Sequence, residues 1–185
     1  MKKSLAVLFI VILCVGFMNA QSKYATKGSW EIGGNVGLAS VTPDSNGTAT
    51  TSTLNINIMP FIGYFVADNM QIGFIPNIEV TSFRRTDFTF NLFVVPAYYF
   101  PIESQNLYPY VHALAGYSED LPDDGRQYKG LSWGVGGGIK IGMGSNCLLN
   151  VGLDYIQYTY NDSRSVNRNG YNNLSVSAGF TVCVK

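Results

Sequence analysis

The sequence predicts an all-β fold: an eight-stranded antiparallel up-and-down transmembrane β-barrel behind an N-terminal signal peptide. Three observations carry that prediction. Apolar and polar residues alternate through eight segments, the period-2 pattern of strands with two unlike faces. The links between these segments alternate long and short, as in membrane barrels with short turns at one end and longer loops at the other. Charged residues make up only 13% of the chain, where a soluble domain carries about 25%. No long apolar run after the N-terminus could form a spanning helix. An exported chain this apolar fits a barrel, which satisfies its backbone hydrogen bonds between strands.

The chain begins with the basic Met1-Lys2-Lys3, runs apolar from Leu5 to Met18, and reaches a small residue at Ala20. These are the parts of a secretory signal peptide, with cleavage expected after Ala20. A spanning helix is the weaker reading, because a span needs about 20 apolar residues. Cys14 follows Leu13, where a lipoprotein signal has a small residue, so lipidation is not expected. The predicted domains are therefore residues 1–20, the signal, and 21–185, the barrel. Removing 20 of the 185 residues leaves 165, enough for one domain. Lys2 and Lys3 leave with the signal, so 10 basic residues face 12 acidic ones, a net −2. That balance excludes nucleic acid as a partner.

The first strand is predicted over Gly28 to Ser40, with Trp30, Ile32, Val36 and Leu38 on one face and Glu31, Gly33, Asn35 and Gly37 on the other. A polar link, 41–52, follows. The second strand (Thr53 to Val66) and third (Met70 to Thr81) flank Ala67-Asp68-Asn69, a tight reversal of residues that tolerate left-handed backbone. Link 82–87 carries Arg84-Arg85. The fourth strand is Phe88 to Phe100, followed by a short turn, and the fifth is Leu107 to Tyr117. After the charged link 118–129 comes the sixth strand, Gly130 to Met143. The turn Gly144-Ser145-Asn146 leads to the seventh, Cys147 to Tyr160. Link 161–170 precedes the eighth, Tyr171 to Val184.

The face that carries Trp, Phe, Tyr, Ile and Leu on nearly every strand suits lipid, and the opposite face is rich in Gly, Ser, Thr and Asn. Small residues suit the interior of an eight-stranded barrel, which has space for side chains only. A soluble lipocalin-like barrel binding a ligand in its lumen would turn the apolar face inward instead. In the membrane topology Trp30, Tyr64, Tyr98, Phe100 and Phe180 fall near one end, where an interfacial aromatic girdle belongs.

With the strands laid out, the chain resembles the small outer-membrane β-barrels of the OmpA/OmpX kind, the broad group of porin family or outer membrane protein beta-barrel domains. The likeness rests on the run from Pro60 to Asn69 with Ile72-Gly73, on Pro109-Tyr110-Val111, and on the Gly-rich sixth strand. It covers residues 21–185. It implies an integral outer-membrane protein with both termini periplasmic. Its partners would be outer-membrane lipid, lipopolysaccharide and the barrel-assembly machinery. Such barrels usually end on an aromatic residue; here the chain ends Thr181-Val182-Cys183-Val184-Lys185, and Phe180 is the nearest aromatic.

Glu31, Glu79, His112, Lys140 and Asp154 all have inward parity and are expected to form a lumen charge network, because a closed low-dielectric interior needs its charges paired. A Lys facing lipid near the midplane would cost about 2–4 kcal/mol, which independently turns Lys140 inward. A gated polar pore or proton-linked site is the alternative reading of the same residues. The glycines from Gly134 to Gly138 lack the Lys-Ser/Thr and the helix of a phosphate loop. The carboxylates of Glu119, Asp120, Asp123 and Asp124 lack EF-hand spacing and read as a solvated loop. Cys147 and Cys183 share one end of the last hairpin in an oxidising compartment, but on opposite faces; a disulfide would need a bulge or frayed end. No catalytic set, cofactor or metal site emerges, and no enzyme is expected. The expected role is structural or surface-interaction, by a monomer displaying loops 41–52, 82–87, 118–129 and 161–170 to an unidentified extracellular ligand. A minor porin passing small solutes is the alternative.

Overall fold

A computed structural model describes residues 24–45, 48–49, 53–82, 86–102, 106–121, 128–161 and 168–185. Eight long strands, β1 (Trp30–Ser45), β3 (Thr53–Ala67), β4 (Met70–Ser82), β5 (Thr86–Tyr99), β6 (Leu107–Leu121), β7 (Tyr128–Met143), β8 (Cys147–Asn161) and β9 (Arg168–Val184), pair in chain order, all antiparallel. The two-residue β2 (Thr48–Ala49) folds back on the end of β1. β1 also pairs β9 from Trp30↔Val184 to Ser45↔Asn169, which closes the sheet and leaves the barrel no free edge.

The eight long strands run 13 to 17 residues, whereas about 9–11 suffice to cross a bilayer. The surplus lies at the end with the long links. β1 continues to Ser45, β6 to Leu121 and β9 begins at Arg168, so the polar links are shorter than their sequence implied and the wall projects further. Cross-strand hydrogen bonding simply continues where polar residues replace apolar ones. The tips at 46–47, 50–52, 83–85, 122–127 and 162–167 lie outside the described residues, and so do Arg84, Arg85, Arg164 and the signal segment.

The short links form the opposite end, here the turn end. Asn69 takes φ 64°, the left-handed conformation its position in the turn requires, and Gly144 takes φ 91° in the β7–β8 turn. A bulge falls between Phe65 and Ala67 as β3 enters its turn. Pro60 and Pro76 sit at facing positions, and the β3–β4 ladder is interrupted between the pairs Ile58↔Ile78 and Ile62↔Phe74. Neither proline has an N–H to donate.

The apolar face points outward around the whole circumference: Val36, Ile58, Ile72, Leu92, Val135, Val151 and Val176 are exposed. A lipocalin-like barrel would show the reverse. Trp30 packs on Tyr64 with ring centroids 4.9 Å apart, and Tyr98 on Phe100 at 5.2 Å. These four, with the exposed Phe180, lie on the outer face toward the turn end.

The interior departs from expectation. It is not filled mainly by small residues. Phe65, Phe93, Tyr99, Tyr108, Tyr110 and Tyr158 all point inward and are buried. Glycines on neighbouring strands make room for rings in this interior: a Cβ on Gly73 would meet the ring of Phe61, and one on Gly116 the ring of Phe93 at 2.8 Å.

Candidate functional site in the barrel lumen

The lumen is built in layers from the turn end upward. Residues before β1 close the bottom. Tyr24 and Ala25 are buried there, with the Tyr24 hydroxyl donating to the Gly144 carbonyl at 2.6 Å and the Asn69 amide to the Ala25 carbonyl at 2.8 Å. The Lys27 amide donates to Asp68 Oδ1 at 2.8 Å. Tyr24 meets Tyr108 edge to face at 5.2 Å, inside an apolar cluster that includes Phe65, Tyr99, Leu148 and Cys183.

Above this plug sits Glu31, fully buried on β1. Its carboxylate accepts from Lys140 Nζ of β7, from Thr181 Oγ1 of β9 at 2.6 Å, from the Tyr99 hydroxyl of β5 at 2.7 Å and from Gln71 Nε2 of β4 at 2.9 Å. Four donors from four strands meet the two oxygens of a carboxylate, so its desolvation is offset by a countercharge and a full set of hydrogen bonds. Lys140 also donates to the Tyr99 hydroxyl at 2.6 Å, and its ammonium lies 5.0–5.2 Å from the ring centroids of Phe61, Tyr99 and Tyr110. Three ring faces around one ammonium add cation–π attraction to the ion pair.

The next layer is the His112–Asp154 pair, Nε2 to Oδ1 at 2.7 Å. Tyr110 stacks on both His112 and Tyr99, each at 5.7 Å, and so ties the two layers together. A cavity of about 30 Å³ lies among Gln71, Tyr99, Tyr110, His112, Lys140 and Asn150. It has room for a water, not for a solute. Gly136 faces the pair: a Cβ there would strike Asp154 Oδ1 and come within 2.5 Å of His112 Nε2. Gly136→Ala is therefore expected to separate His112 from Asp154 and destabilise the barrel by about 1–3 kcal/mol, the usual range for overpacking. The midpoint of denaturant unfolding in detergent checks it.

Glu79 stands apart, in the half toward the long links. Its Oε1 accepts from Asn173 Nδ2 at 2.9 Å and Asn55 Nδ2 at 3.2 Å. The five ionisable residues of inward parity thus all face the lumen, but they form two pairs and one separate carboxylate rather than one network. Cys147 lies opposite Val182 across the last hairpin while Cys183 points into the lumen, and both are free thiols. The disulfide is not formed, because no bulge corrects the opposed parity. Among the described residues no group of three or more His, Cys, Asp or Glu could hold a metal ion. Glu119, expected in a solvated loop, lies on β6 and pairs with Lys129 at 3.1 Å.

Sequence reasoning missed Tyr99, Tyr110 and Tyr24 as lumen residues. Tyr110 and Tyr99 could have been found from parity alone: they alternate with the outward Val111 and Tyr98. Tyr24 precedes the alternating pattern, and nothing in its neighbourhood signals that it folds back under the barrel.

Among solved structures the chain is similar to Neisserial surface protein A (NspA), with a TM-score of 0.67 and 16% identity over 84% of this chain and 99% of that one. It is also similar to the outer membrane protein OprG from Pseudomonas aeruginosa, with a TM-score of 0.52 and 12% identity over 88% of this chain and 99% of that one. At these identities the likeness is one of fold. No curated protein matches the chain by sequence. Residues 8–182 match the family described as "Outer membrane protein beta-barrel domain". With that match spanning almost the whole of a closed eight-stranded barrel whose apolar face points outward, the chain belongs to the outer membrane protein β-barrel domain family.

Proposed function

We propose that this outer-membrane barrel has a structural or surface-interaction role and does not serve as a conduit. The observation that supports this reading is the closed lumen: the Tyr24–Ala25 plug and the Glu31–Lys140–Tyr99 layer block it, and the cavity beside Lys140 and Tyr99 measures only about 30 Å³. The walls extend at the long-link end, and an extracellular ligand or lipopolysaccharide would be met through loops 41–52, 82–87, 118–129 and 161–170. Both termini are periplasmic and the signal is cleaved after Ala20, a reading supported by Tyr24 and Val184 both lying at the turn end. Outer-membrane lipid and the barrel-assembly machinery are the obligatory partners, and the barrel works as a monomer. The role is non-enzymatic: His112, the chain's single histidine, is engaged by Asp154 inside the wall.

Planar-bilayer recording tests this reading against the porin alternative. The purified barrel is expected to give no steady single-channel conductance. A steady conductance abolished by Lys140→Ala or Glu79→Gln would overturn the closed-lumen reading.

A further inference from the structure

Buried polar atoms in the lumen are not evenly satisfied. Around Glu31 every carboxylate oxygen is engaged. In the half toward the long links, polar atoms of Asn55, Asn57, Asn77, Asn91, Asn173, Ser175 and Ser177 find no hydrogen-bond partner among the described residues. Each of these residues is at most 6% exposed. Asn57 and Asn77 are unpartnered at both the amide oxygen and the amide nitrogen. Left dry, such groups would each cost about 1–3 kcal/mol, and a total of that size would exceed the stability of most folded domains.

These residues are contiguous. They occupy β9, β3, β4 and β5, with only the small Gly37 and Ala39 of β1 between β9 and β3. Phe93, Val95, Leu114, Ile156 and Tyr158 form an apolar cluster beside them. Asn91 Nδ2 reaches the Tyr158 hydroxyl at 3.5 Å, and the atoms named above stay unpartnered among the described residues. The polar wall also carries negative charge. Glu79 lies within it, its Oε2 without a hydrogen-bond partner among the described residues. Of the lysines nearby, Lys140 is held by Glu31 in the lower half, and Lys129 pairs with Glu119.

We propose that this half of the lumen is a hydrated, blind vestibule that takes up hard cations beside Glu79. Water satisfies the orphaned amides and hydroxyls. Carboxylate and amide carbonyl oxygens are the ligand set of hard cations, with no sulfur or imidazole to favour a transition metal. The vestibule is blind because the layer of Glu31, Lys140 and Tyr99 closes it below. That the vestibule is blind rests on the closed-lumen reading; the cation site beside Glu79 goes beyond it and could be held by a conducting barrel as well.

Thiol labelling of the mature, detergent-folded barrel tests it. Both native cysteines are removed (Cys147→Ser, Cys183→Ser), and Asn77→Cys or, in a second protein, Asn91→Cys supplies the reporter. Cationic and anionic methanethiosulfonates are compared, each rate normalised to the unfolded protein, and heat-shifted gel mobility confirms folding. The cationic reagent is expected to react about tenfold faster than the anionic one, as counter-ion focusing in a charged cleft allows. Glu79→Gln should remove most of that preference. Calcium chloride and sodium chloride at equal ionic strength separate binding from screening: stronger slowing by one of the salts identifies its cation as the ligand, and equal slowing shows screening alone and overturns the cation site. Two folded reporters that neither reagent labels would show a dry lumen and overturn the proposal. So would equal rates for the two reagents, a preference unchanged by Glu79→Gln, or rates that neither salt alters.

Discussion

Lys140→Met is expected to destabilise the folded barrel by about 3–5 kcal/mol, the cost of stripping one partner from a buried ion pair. Glu31 is completely buried, and among the described residues its only cationic donor is Lys140. Gln71, Tyr99 and Thr181 would still donate to it, but neutral donors cannot replace the countercharge. Methionine can occupy the space among Phe61, Tyr99 and Tyr110, so lost packing contributes little and the electrostatic part dominates. Combining Lys140→Met with Glu31→Leu should recover much of the loss, because apolar replacement of a whole buried pair is often neutral or better. Urea unfolding of the barrel in lipid vesicles measures both. A loss below about 1 kcal/mol for the single variant would place the pair with exposed ion pairs and contradict its burial.

Val135→Lys is expected to cost about 2–4 kcal/mol, and Leu131→Lys and Met143→Lys on the same strand about 0–1 kcal/mol each. All three residues lie on the outward face of β7 and are more than half exposed. Val135 is at mid-strand, and the other two lie toward opposite ends. A lipid slab penalises charge most at its centre, so the three variants should describe a depth profile in vesicle refolding. Water around the barrel would make all three substitutions nearly neutral.

The wall of the barrel was legible in the sequence because its signal is local. Alternation of the kind seen from Leu149 to Tyr155 depends only on neighbouring residues and assigns each side chain to a face. It placed Glu31, Glu79, Lys140 and Asp154 inside correctly. Parity does not say who meets whom across the lumen. That depends on the tilt and register of strands far apart in sequence: Glu31 and Lys140 are 109 positions apart, and Glu31 and Thr181 150. The same limit explains why Glu79 was grouped with charges it does not contact. The aromatic interior was missed for a related reason. Phe61 and Phe93 are admitted by glycines on neighbouring strands, and only the register shows which glycine meets which ring. The ends of the strands were read short because polarity marks where lipid stops, not where pairing stops.

The central claim is that the apolar face of this barrel meets lipid, and fractionation with heat-dependent gel mobility tests it most directly. The mature chain is expected in the outer-membrane fraction, extractable only with detergent, and migrating faster unheated than after boiling. A mature chain that stays soluble in the aqueous fraction without detergent would contradict it.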